Sequence, residues 1–111
     1  MKVTLKDNYT ILTDENEDVV GFANQLESII SDVYSQNNLI IDLLKYNQLT
    51  LEEIMSFVKL STSQRNNNKS FVFVNKDIDY DVIPDEIIVV PTVQEAIDII
   101  EMEEIERDLG F

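Results

Sequence analysis

Three short runs built almost wholly of β-branched and large apolar residues dictate most of what this chain can fold into. They are Leu39-Ile40-Ile41-Asp42-Leu43, Phe71-Val72-Phe73-Val74 and Ile87-Ile88-Val89-Val90. Runs without polar alternation suit strands buried on both faces, as in parallel sheets whose crossovers are helices. Segments of helical period separate them. Val19, Phe22, Leu26, Ile29, Ile30 and Val33 recur at three or four residues and form one apolar stripe. Gly21 weakens the start of that helix, and Gln36-Asn37-Asn38 ends it. Thr50-x-x-Glu53 is a capping box that predicts a helix from Leu51 to Gln64, with Ile54, Phe57, Val58 and Leu60 as its apolar positions. Thr92-x-x-Glu95 is a second box, after Pro91 has ended the last strand. It predicts a helix over 93–108 with Val93, Ala96, Ile97 and Ile100 toward the core.

The N-terminus has a shorter period. Residues 2–5 and 9–13 read as strands joined at the turn residues Lys6-Asp7-Asn8, so a hairpin fits. Asp14-Glu15-Asn16-Glu17-Asp18 is a polar loop whose carboxylates favour the start of the next helix. Residues 77–84 include a short helical turn, and Gly110 suits a C-cap, with Phe111 supplying a small hydrophobic contact. The order is ββαβαβ(α)βα. It predicts a single α/β domain over 1–111: a mixed, mostly parallel sheet with an N-terminal hairpin and helices packed against it.

The residues that are missing exclude much chemistry. None of the 111 residues is Cys or His. That removes disulfides, thiolate nucleophiles, thiolate or histidine zinc sites, the Ser–His–Asp triad and a neutral-pH imidazole base. Twenty-two acidic against eight basic residues give a formal net charge of −14, which disfavours nucleic acid and anionic membrane surfaces. A hydrophobic fraction of 44% is too high for an acidic disordered chain. No apolar stretch approaches membrane-spanning length, and Met1–Lys6 lacks a signal-peptide core, so membrane insertion is not expected. The expectation is a cytoplasmic, non-enzymatic, protein-binding chain with no cofactor. Asp77, Asp79 and Asp81 alternate as in a calcium loop, but Val82 and Ile88 stand where that loop needs Gly and Glu. They read as a solvated acidic loop, against the alternative of a carboxylate metal or enzymatic site.

The charge is uneven. Residues 1–76 carry 10 acidic and 7 basic side chains, whereas residues 77–111 carry 12 acidic and one basic, Arg107. A partner with a basic surface would gain association rate from this field.

The element order, the Ile-Ile-Asp-Leu strand, its spacing to the next helix and the Thr92-Val93-Gln94-Glu95-Ala96 helix start together resemble the STAS domain of anti-sigma factor antagonists. The resemblance covers nearly the whole chain and implies a partner-binding regulatory module. In phospho-regulated STAS proteins an Asp-Ser-Ser/Thr-Gly-Leu motif opens the helix after the central strand, and a kinase phosphorylates its third position. The matching stretch here is Thr50-Leu51-Glu52-Glu53-Ile54, which places Glu52 at the phosphorylated position. A carboxylate there imitates part of a phosphate's charge, or is simply a good first-turn residue. Either way the usual hydroxyl switch is missing, and Thr50 is the alternative, displaced phosphosite. The resemblance places the docking edge at Lys45, Tyr46, Asn47, Gln48, Thr50, Glu52 and Met55, with Lys59 further along. Tyr46 reads either as a partner anchor or as a ring partly buried over the sheet rim.

The ending from Met102 to Phe111 is also similar to that of small STAS-like proteins of the Bacteroidetes, some of which carry the label ribonuclease Z. That activity needs zinc held largely by histidines, so the label is rejected on chemistry. Along the same ending, Met102, Ile105, Leu109 and Phe111 form an apolar line among Glu101, Glu103, Glu104, Glu106 and Asp108. Two readings compete: cover for the sheet, or a partner or homodimer surface through residues 102–111.

Overall fold

The computed structural model describes residues 1–110; Phe111, assigned above to a closing contact and to the apolar line, lies outside them. Five strands form one sheet in the order β1-β2-β3-β4-β5: β1 (Lys2–Leu5), β2 (Thr10–Thr13), β3 (Leu39–Asp42), β4 (Phe71–Val74) and β5 (Ile88–Val90). The first pair is antiparallel, with Val3 opposite Leu12, and the other three pairs are parallel. This is the mixed sheet that the hairpin and the three apolar runs predict.

Parallel pairing requires long crossovers, which helices supply for the first two parallel pairs and residues 75–87, with a single 3₁₀ turn, supply for the third. α1 (Val19–Ile29) joins β2 to β3, α2 (Leu51–Met55) and α3 (Val58–Asn66) join β3 to β4, and α4 (Val93–Asp108) follows β5. Alternation along β3 and β4 divides the core. Leu39, Ile41, Phe71 and Phe73 meet Phe22, Leu26, Phe57 and Leu60 from α1 and the α2–α3 region. Ile40, Val72 and Val74 face the other way and meet Ala96 and Ile100 of α4. Each Leu, Ile, Val or Phe side chain among them contributes about 1.5–3 kcal/mol when removed from water.

Three expectations need correction. The helix from Leu51 to Gln64 is two helices, broken at Ser56 and Phe57. The Ser56 hydroxyl donates to the Glu53 carbonyl, and Phe57 drops out of helical register into the core. Its ring meets Phe22 and Phe73 edge-on, with centroids 6.4 and 4.9 Å away. A side-chain hydroxyl that bonds back to the preceding turn is a known local competitor of the helix ladder.

The stripe of α1 also ends differently. Val33 is 62% exposed because α1 runs into a π-helical turn, Ile30–Tyr34. The wider turn rotates Val33 off the core face and brings in Tyr34, which packs against the core. Gln64, 1% exposed, donates to the carbonyls of Tyr34 and Asn37 at 2.9 and 2.6 Å, so the end of that turn is not left unpaired. Gly21 has a use here: Asp18 caps α1 by accepting from the Gly21 N–H, and a Cβ on Gly21 would collide with the Asp18 carboxylate.

The C-terminal helix α4 departs from expectation as well. Only half of its predicted capping box forms, Thr92 Oγ1 accepting from the Glu95 N–H at 3.1 Å. Val93, Ala96, Ile97 and Ile100 face the sheet as expected. Beyond Ile100 the helix turns inside out. Met102, Ile105 and Leu109 are 54%, 59% and 66% exposed, while Glu103, Glu104 and Arg107 turn inward. The reading in which Met102, Ile105 and Leu109 cover the sheet is therefore wrong.

Charged residues take the inward positions because the N-terminal ends of β3 and β4 offer polar partners. Asn38 accepts from the Ser70 N–H at 2.8 Å and donates to Glu104 at 2.7 Å. Ser70 Oγ donates to Glu103 at 2.6 Å, and Arg65 meets the other Glu103 oxygen at 2.9 Å. Arg107 Nη2 reaches Glu104 at 2.8 Å and Ser70 Oγ at 3.1 Å. Among the described residues no buried side-chain nitrogen or oxygen lacks a partner.

The Glu104 carboxyl is held below the usual carboxylate range, first by the Asn38 hydrogen bond and then by Arg107. A folded-state value below the unfolded one adds stability above the ordinary carboxylate pKa, and that stability is lost as pH falls through the folded value. Glu104→Gln is expected to destabilise the chain at neutral pH, with the deficit closing as acid protonates the wild-type carboxyl. Urea unfolding of both proteins over an acidic pH series measures this. A deficit that is independent of pH would contradict it.

Candidate functional site

The loop from Leu43 to Thr50 leaves the C-terminal end of β3, and buried polar groups fix its path. Asp42 Oδ1 accepts from the Leu44 N–H at 3.0 Å, which explains that carboxylate as a turn former. The amide of Asn75, fully buried after β4, donates to the carbonyls of Leu43, Tyr46 and Asn47 at 3.0, 3.2 and 3.2 Å. Its own N–H donates to Val90, and its oxygen accepts from the Asp77 N–H. One residue thus ties the ends of β3, β4 and β5 together, its side chain holding the loop after β3 and its backbone N–H holding β5.

Tyr46 closes the loop from the other side. Its hydroxyl lies against the Asp14 carboxylate and 2.7 Å from the Asn16 carbonyl, and its ring packs on the core. Burial, then the Asp14 hydrogen bond and charge, then Asp18 and Glu17, raise the Tyr46 pKa well above the ordinary tyrosine value. The hydroxyl therefore stays protonated and donating. Tyr46 has the partly buried arrangement over the sheet rim, with its polar end already engaged.

The remaining expected site residues are spread along the surface. Lys45, Asn47, Gln48, Thr50 and Glu52 are exposed, and Lys45 Nζ lies 5.4 Å from the centroid of the Tyr46 ring. Thr50 caps α2 in the full reciprocal box: its Oγ1 accepts from the Glu53 N–H at 3.1 Å, and Glu53 Oε1 accepts from the Thr50 N–H at 2.8 Å. Glu52 stands in the first turn of α2, where a carboxylate suits the helix dipole. Met55 is 49% exposed. Lys59 pairs with Glu27 at 3.1 Å, both well exposed, so it is drawn toward α1 and away from the loop.

The structure divides this set between two depressions. Lys45, Tyr46 and Asn47 line one with Glu17 and Glu53. Gln48 and Thr50 line the other with Leu49, Leu51, Asp79 and Val82. Glu52 and Met55 border neither. Sequence reasoning missed Leu51, which is half exposed, and the whole contribution of the β4–β5 loop. In that loop Asp79 caps the 3₁₀ turn Tyr80–Val82 by accepting from the Asp81 N–H at 3.0 Å. Tyr80 and Val82 are 58% and 45% exposed.

Among the described residues no group of three or more carboxylates is placed to hold a metal ion, Asp77, Asp79 and Asp81 included. No described helix is long and apolar enough to cross a membrane.

No family model matches the sequence, and no curated protein matches it. The fold does have a counterpart among solved structures. RsbS of Moorella thermoacetica, in a variant with one serine-to-glutamate substitution, superposes with a TM-score of 0.65. The match covers 90% of this chain and 93% of that one at 16% identity. At that identity the likeness is one of fold. It joins the antiparallel first pair, the parallel strands and the helices of this chain in a STAS-like architecture.

Proposed function

We propose that this chain is a non-enzymatic, protein-binding regulatory module of STAS type whose docking edge runs from Lys45 to Met55 and extends onto Asp79–Val82. The observation that carries the reading is the cleft in which Leu51 at the start of α2 and Val82 from the β4–β5 connection, both half-exposed apolar side chains, flank Gln48 and Thr50. Apolar side chains left half exposed beside a loop that Asn75 and Tyr46 hold still make a preorganised recognition edge. The net charge of −14 favours a protein partner with a basic surface over nucleic acid or anionic lipid.

On this reading the position that other STAS modules phosphorylate carries a permanent carboxylate, Glu52, so docking does not follow a kinase acting there. Thr50 supports a second reading, an anti-sigma factor antagonist with a displaced phosphosite, because its hydroxyl is exposed at the start of α2. The placement within the STAS family, the nearer likeness to Bacteroidetes proteins and a cytoplasmic location belong to the same proposal. Ribonuclease Z activity does not, since a chain without histidine lacks the ligands it needs.

Affinity capture from a lysate of the source cells, with the wild-type chain and with Tyr46→Ala, Leu51→Ser and Glu52→Lys, tests the proposal. A partner held by wild type is expected to fall roughly tenfold or more with Leu51→Ser and Glu52→Lys. Equal capture by all four chains would contradict it. Phosphopeptide mapping of the same material separates the two readings, since the second requires phosphate on Thr50.

A further inference from the structure

We propose that the outward face of the last two turns of α4 docks a basic amphipathic helix of another protein. The face rests on the inversion described above: Met102, Ile105 and Leu109 point to solvent while Glu103, Glu104 and Arg107 occupy the inward positions. The inward set is locked by Asn38, Ser70 and Arg65, so the outward set does nothing for the packing of this chain. A helix that keeps its largest apolar residues outside, over a satisfied polar interior, presents them to something else.

Spacing and charge say what that is. Met102, Ile105 and Leu109 lie at intervals of three and four residues, one heptad step of an a/d seam about 10 Å long. Glu106 borders the seam on one side, Glu101 and Asp108 border it on the other, and Asp98 continues it one turn earlier. Among the described residues none of Glu101, Glu106 and Asp108 has an ion-pair partner, whereas Glu103 and Glu104 are paired to arginines. The complement of an apolar seam bordered by unpaired carboxylates is a helix with apolar residues at the same spacing and Lys or Arg beside them. A second copy of this chain is the poorer fit, because it would set the same carboxylates against each other. The surface lies on α4, which covers the face of the sheet opposite α1, α2 and α3, so the inference does not rest on the docking edge proposed above.

The test titrates the full chain, isotopically labelled, with a synthetic helix carrying Leu at a and d and Lys or Arg at e and g, and with a scrambled peptide of identical composition. The patterned peptide is expected to give saturable shifts confined to the amides of residues 98–109. Its affinity should fall roughly tenfold with Ile105→Lys. The double variant Met102→Gln/Leu109→Gln should behave the same way, and the native spectrum of each variant confirms that it has folded. Three results overturn the proposal: equal binding of the scrambled peptide, shifts that map elsewhere, or a wild-type dimer in sedimentation that Ile105→Lys dissociates.

Discussion

Phe57→Ala is expected to cost about 3–5 kcal/mol of folding stability, the usual range for removing a buried aromatic ring. The ring is 1% exposed and sits where the α2–α3 helix breaks, with Phe22 on one side and Phe73 on the other. None of the surrounding elements can close the hole alone, because the ring joins α1 and β4 to the broken crossover. Domains of this size have a total stability of about 5–15 kcal/mol, so the variant should lie near the unfolding threshold at room temperature. Urea unfolding followed by far-UV circular dichroism measures the loss as a shift of midpoint. A loss below about 0.5 kcal/mol, the level of ordinary surface substitutions, would show that the break is not a core feature.

Asn75→Ala is expected to cost about 2–4 kcal/mol and to loosen the loop from Leu43 to Thr50. The substitution strips donors from the carbonyls of Leu43, Tyr46 and Asn47 and removes the acceptor of the Asp77 N–H. Unpaired groups at a buried site cost more than the net worth of the bonds lost, which sets the size of the effect. Asn75→Asp should be no better, since a carboxylate cannot donate to three carbonyls. Hydrogen exchange carries the functional half of this prediction. The amides of residues 43–50 should exchange faster in the variant, while those of β3 and β4 stay protected. Unchanged exchange in the loop would mean that Asn75 does not hold it.

Both positions mark where sequence reading stops. The apolar runs at 39–43 and 71–74 located the buried centre of the sheet, because a strand buried on both faces has no polar residues to spare, and the run at 87–90 located its half-buried edge strand. The two capping boxes placed the starts of α2 and α4, since a cap is a local hydrogen bond between residues three apart. Failures came where long-range packing overrode local period. Phe57 fits the helical stripe by spacing, yet its ring is worth more inside the core than the helix bond is worth kept. Val33 fits its stripe too, and a π turn displaced it.

The site was legible only in part, for the same reason. A loop after a buried strand and a cap at Thr50 are local signals, and they pointed to residues 45–55. Asn75, Asp14 and Val82 reach that loop from distant segments, so their spacing from it encodes nothing. A polar residue directly after an apolar strand, as at Val74-Asn75 and Thr13-Asp14, was the available sign. In α4 the acidic run concealed an inversion. Spacing separates Glu103 from Ile105, but it does not say which side meets Arg65 and Ser70.

The proposed role makes the edge from Lys45 to Met55, with Asp79–Val82, the surface that a partner covers. Amide-shift mapping of the isotopically labelled chain with its captured partner tests this most directly. The largest changes are expected at residues 44–56 and 79–83, lost with Leu51→Ser. A footprint that leaves both segments unchanged would contradict it.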